Sequence, residues 1–149
     1  MTGKLKQLRG GFAVGCVVLL VSAFLCGCGS RRSGGGLAGC KTARACYNMG
    51  LARFEQGMYP DAIAAYSKAV SIQPDHAAAY YSMGLAHSRL KQYEDAVLAL
   101  SKAIAINPGD AEAHYMLGLA YGTLQRYPKA ITLLKKAIVL NPNNANAYY

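Results

Sequence analysis

The chain is short of charge and shorter still of acid: 7 of its 149 residues are Asp or Glu, and charged residues of both signs make up 15%. The acidic side chains are scattered over places expected to face solvent, which gives acid–base catalysis little support. Histidine occurs three times (His76, His87 and His114), and none has a carboxylate or cysteine at a metal-ligand spacing. Gly34-Gly35-Gly36 leads into no P-loop lysine motif, so phosphate binding is not indicated. The net charge of +9 is gathered near the start, at Lys4, Lys6 and Arg9 and again at Arg31, Arg32 and Lys41. Residues 43–149 hold ten basic and seven acidic side chains, without the basic stripe and stacking aromatics that nucleic acid wants. No enzyme, cofactor, metal or nucleic-acid partner is therefore expected.

What the chain does have is repetition. Gly50, Gly84 and Gly118 lie 34 residues apart, as do Ala62, Ala96 and Ala130; Ala69, Ala103 and Ala137; and Pro74, Pro108 and Pro142. Residues 43–76 and 77–110 agree at sixteen aligned positions without a gap, which marks an internal repeat of fixed period. Each copy predicts two amphipathic helices. Tyr80, Met83, Gly84 and His87 share one face of a 3.6-residue helix, and Ala96, Leu100, Ala103 and Ile104 form a second stripe. Lys91 to Tyr93 reads as the turn between them, and Asn107-Pro108 closes the unit because proline pushes its predecessor out of the α region. Gly84 and Ala96 read as small residues that leave room where the paired helices cross.

A unit of this length and pattern resembles the tetratricopeptide repeat, TPR. Counting places from Ala43, Ala77 and Ala111, the family's small residues match at places 8, 20 and 27, its proline at 32, and tyrosine stands at 17 (Tyr59, Tyr93, Tyr127). Departures fall at place 4, where Cys46, Tyr80 and His114 replace the usual aromatic, and at place 11, with Arg53, His87 and Tyr121. The resemblance covers residues 43–149. It implies an all-α fold, a right-handed α-solenoid of three helix–turn–helix units (43–76, 77–110, 111–144), with 145–149 opening a fourth. Such a stack is stable roughly as a sum of units and interfaces. Its first edge is expected to be open at Cys46. The last helix, Lys129 to Leu140, is expected to keep an uncovered stripe with Ile131, Leu134 and Ile138, to be covered by more chain, a partner or a second copy.

In the family, the first helices line a groove through places 2, 5, 6, 9, 12 and 13. Carried over, these give a tyrosine ladder (Tyr47, Tyr81, Tyr115) and a leucine ladder (Leu51, Leu85, Leu119). Asn48, Ser82, Met116, Phe54, Glu55 and Arg89 complete the lining. An aromatic and aliphatic trough with a few polar groups suits the apolar side chains of a peptide segment. A default scaffold, with tyrosine at place 5 as the family's usual residue, is the alternative. The carboxylate clamp by which some TPR domains grip heat-shock chaperones is not expected. Its lysines, asparagines and arginine are replaced by Tyr47, Leu51, Ser82, Glu112 and Met116.

Residues 1–28 run from a basic start through an apolar stretch, Phe12 to Leu25, to small residues, the layout of a bacterial secretory signal. Leu25-Cys26-Gly27-Cys28 resembles a lipobox, which implies cleavage after Gly27 and acylation of Cys28. An uncleaved anchor and simple secretion are the alternatives, since the apolar length nearly spans a bilayer. Gly29, where the family's inner-membrane retention signal has aspartate, implies a lipid-anchored protein of the outer membrane facing the periplasm. Residues 28–42 then form a flexible tether to the repeats. Cys40 and Cys46 remain as an even pair in a compartment that permits disulfides, either bridged or free with Cys46 in a packing place.

Overall fold

The computed structural model describes residues 39–142. The chain divides into two units, 1–34 and 35–149, and the described residues belong to the second. The leader, the expected lipidation site Cys28, most of the tether and the opening of a fourth copy lie outside the described residues.

Six helices and no strand occur among the described residues: α1 (Ala43–Glu55), α2 (Tyr59–Ile72), α3 (Ala77–Arg89), α4 (Tyr93–Ile106), α5 (Ala111–Thr123) and α6 (Tyr127–Leu140). The first helix of each pair starts at a side-chain cap. Thr42, His76 and Asp110 stand at one place in successive copies, and each accepts the N–H three residues on, at 3.2, 3.2 and 3.0 Å. That satisfies a donor which the first helical turn leaves unpaired. The second helices begin without such a cap. In α2 and α6 a proline stands in the first turn, where its missing N–H costs nothing. Tyr93 is thus the first residue of α4 rather than the end of a turn, and α6 starts two residues before the expected Lys129.

All three turns inside the pairs pass through left-handed backbone at the same place: Gly57 (φ 73°), Lys91 (61°) and Gln125 (57°). The next N–H returns to the carbonyl five residues back (Met58 to Arg53, Gln92 to His87, Arg126 to Tyr121), each at 2.9 Å. This closure ties off the helix ends. Only the first copy supplies the glycine that adopts such a φ freely.

Each helix packs on its neighbours in sequence, α1 on α2 through to α5 on α6. α1 also touches α3 and α3 touches α5, more closely than α2 meets α4 or α4 meets α6, so the stack draws together on the side of the first helices. Place 8 is not the vacant crossing expected of Gly84 and Ala96. A Cβ on Gly84 would lie 2.6 Å from Leu100 Cγ, and one on Gly118 2.9 Å from Leu134, while the Tyr66 ring fills the space over Gly50. Tyr66, Leu100 and Leu134 occupy one place in the second helices, so a large side chain sits in each glycine's gap. Tyr66 and Leu100 are 0% exposed.

At the leading edge Cys40 and Cys46 are joined in a disulfide, with Cα atoms 5.0 Å apart. Of the two readings of this pair, the structure has the bridge. The edge is closed at Cys46 rather than open, because the loop before α1 folds onto it and both cysteines are buried. At the other end α6 leaves Ile131 53% and Val139 77% exposed. Leu134 and Ile138 are only partly uncovered, Leu134 because it lies over Gly118. No helix among the described residues is long and apolar enough to cross a membrane.

Candidate functional site

The residues expected to line a groove separate on folding. Leu51 and Leu119 are 36% and 41% exposed, Asn48 and Arg89 are exposed, and Leu85, Tyr115 and Phe54 are half-buried. Ser82 is a correction. It is 7% exposed and sits beside the buried Tyr66 ring, so it belongs to the core and not to the lining. The Tyr66 hydroxyl finds no hydrogen bond of ordinary length, and burial pushes its phenol up to about 12, with Ser82 opposing.

The tyrosine ladder is likewise tied into the junctions between units. Tyr47 packs against the Tyr66 ring (centroids 5.8 Å apart) and the His76 ring (4.9 Å). Tyr81 packs on the core formed by Val97, Leu100, Leu117 and Ala120, as Met116 does. Burial, followed by the carboxylates of Glu112 and Asp110, pushes the Tyr81 phenol up to about 12, so it stays protonated and keeps a hydroxyl to donate. The ladders therefore divide the work: tyrosines hold unit to unit, and leucines face outward.

The two junctions along this side differ at one place. In the first, Phe54 stands edge-on to Tyr59 (5.2 Å, 66°), with the Arg89 guanidinium 5.7 Å from its ring centroid. In the second, Ser88 stands where Phe54 does. Its hydroxyl donates back to the Gly84 carbonyl at 3.0 Å, a local bond that uses up its polarity. With no ring there, a recess of about 180 Å³ opens between Ser88, Tyr93, Met116, Leu119, Ala120 and Thr123. Tyr93 is the counterpart of Tyr59, so the recess has the frame that holds Phe54 without the phenyl group.

A second depression, about 500 Å³, lies between α5 and α6 and is lined by Leu117, Tyr121, Pro128, Lys129, Thr132 and Leu133. The Lys129 ammonium sits 5.5 Å from the Tyr121 ring centroid. The sequence reading did not single it out. Its signal is the cation and ring that recur one unit earlier as Lys102 over Tyr80, also at 5.5 Å. Among the described residues no group of three His, Cys, Asp or Glu side chains could hold a metal ion. His114 is 1% exposed with no partner for Nδ1; burial, and then Lys136, push its pKa down, against Asp110.

Two family models match along this helical stack, "TPR repeat" over residues 50–91 and "Tetratricopeptide repeat" over 83–145. The chain carries tetratricopeptide repeats. The TPR stack is similar to many solved structures. One is the first TPR domain of Spaghetti (RPAP3) bound to an HSP90 peptide, SRMEEVD: 28% identity, TM-score 0.70, spanning 72% of this chain and 85% of that one. The first TPR domain of human RPAP3 gives 28% identity and TM-score 0.69, over 72% and 84%. MamA gives 33% identity and TM-score 0.69 over 71% of this chain, which spans only 62% of MamA. No curated protein matches. TPR stacks are scaffolds for protein–protein interaction, and that is the class of function this fold carries.

Proposed function

We propose that this chain is a lipid-anchored adaptor of the bacterial cell envelope that takes an apolar peptide segment along α1, α3 and α5. The recess beside Ser88 carries the reading. It leaves room for one aromatic or branched aliphatic side chain, in a frame that elsewhere in the same chain holds Phe54. Leu51 and Leu119 extend the apolar strip on either side of it, and burying such side chains contributes about 1.5–3 kcal/mol each.

The solved relative that holds an HSP90 peptide makes peptide capture by such a stack a natural mode. Its ligand ends in acidic residues, whereas Tyr47, Leu51 and Met116 offer no cation here, so the segment taken is apolar rather than acidic. The Cys40–Cys46 bridge supports a compartment where disulfides persist. Together with the leader and Cys28 it favours a periplasmic face, with acyl chains as the anchor.

Pull-down from membranes tests the groove. Leu119→Glu and Leu85→Glu should lose the bound protein while the helical signal stays intact; retention of every partner by both variants refutes the reading. Tyr81 is the wrong target, because it packs on the core. For the anchor, mass spectrometry of the mature protein should find an acylated Cys28 as the first residue, and an unmodified chain starting at Met1 refutes it.

A further inference from the structure

Two faces that are buried wherever units meet inside the stack are open at its ends. On α4, Val97 is 8% and Leu100 0% exposed because α5 lies over them. At the place of Val97, α6 carries Ile131, 53% exposed, followed by Leu134 and Ile138 on the same stripe. On α3 and α5 the reverse side is buried: Ala79 and Ala86 are 0% exposed, and Ala113 and Ala120 are 0% and 3%. Their counterparts on α1, Ala45 and Ala52, are exposed, with the exposed Asn48 between them where α3 has the buried Ser82. The outward faces keep the residue types of the inward ones.

α1 is also entered as an interior first helix is. Thr42 caps it as His76 and Asp110 cap α3 and α5. Cys40 stands where Pro74 and Pro108 stand in the linkers, and its bond to Cys46 fixes the incoming turn against the helix.

We propose that this chain assembles head to tail with a second copy, α6 of one docking on α1 of the next in the register of the α2–α3 and α4–α5 junctions. The partner is a copy of this chain because the two open faces are the two halves of one interface, which the stack already forms twice. No side chain larger than asparagine stands at the three α1 places, so the helices approach as closely as at the interior junctions. The new contact continues those junctions. Arg44 of the second copy then meets Tyr115 as Glu112 meets Tyr81 within the stack, and a guanidinium beside a phenol ring is attractive. Because the contact joins unlike faces it leaves one open at each end, so copies add in a row instead of closing as a pair.

Photo-cross-linking of the full-length chain in its membrane tests this. With p-benzoylphenylalanine in place of Ile131, the expected adduct has twice the chain mass and joins position 131 to a peptide within residues 43–55. The same group in place of Leu98, which is 66% exposed on α4, should give no such adduct. Ala52→Glu in the cross-linkable chain should cut the yield about tenfold or more, the effect of only 1.4 kcal/mol at the contact. Leu119→Glu, made against the groove, should leave the yield unchanged, which separates this interface from peptide capture. The proposal is overturned if no adduct of twice the mass forms, if the adduct joins α6 to α6, or if Ala52→Glu leaves the yield intact.

Discussion

Gly84 and Gly122 each stand inside a first helix, and replacing each by alanine should have opposite effects. In an open helix, alanine in place of glycine gains up to about 1 kcal/mol because it narrows the unfolded backbone. At Gly122 no atom lies within 4 Å of the added Cβ, so Gly122→Ala should stabilise by about that amount. At Gly84 the Cβ would lie 2.6 Å from Leu100 Cγ, 3.0 Å from Cδ2 and 3.4 Å from the Ala96 carbonyl oxygen. The nearest atom is a branch carbon of a side chain that is 0% exposed, so it cannot swing aside. Overpacking of this kind costs about 1–3 kcal/mol and outweighs the propensity gain, leaving a net loss of about 1–2 kcal/mol. Urea unfolding followed by helical circular dichroism reads this as a fall in midpoint of about 0.5–1 M at constant slope. Leu100→Ala alone should cost about 2–5 kcal/mol. On that background Gly84→Ala should turn stabilising, a coupling of about 2–3 kcal/mol. A Gly84→Ala variant as stable as the parent, or a cycle that sums to within about 0.5 kcal/mol, refutes the account of how paired helices lock.

The left-handed turns make a second test: Lys91→Gly and Gln125→Gly should each add about 1 kcal/mol, and Gly57→Ala should remove a similar amount, as thermal unfolding would show. Reducing the Cys40–Cys46 bridge, whose partners are 6 residues apart, should cost about 2 kcal/mol by loop entropy and speed hydrogen exchange first in α1; unchanged exchange there refutes it. His114 gives a pH test. Its folded pKa lies below the usual 6.5, so below pH 6.5 the unfolded chain binds more protons and stability falls as pH drops toward the folded value. The slope is at most about 1.4 kcal/mol per pH unit, and His114→Phe should flatten it in unfolding curves recorded between pH 7.5 and 5.

The sequence determined the units and their helices, because a spacing of 34 kept in register through Gly, Ala and Pro admits one local structure repeated. It also bounded the partner's chemistry, since residue type alone puts leucine where a cationic clamp would need polar groups. Tertiary packing decided the rest. Whether Gly84 faces a gap or Leu100, whether Ser82 lines a groove or underlies Tyr66, and whether Cys46 is free or bridged all depend on a side chain from another helix or loop. The recess at Ser88 is legible only in the folded chain, because it is the absence of a ring whose counterpart lies one repeat away. Periodicity fixes which face of a helix points inward, but what it meets there is set by a neighbour whose approach the sequence does not state.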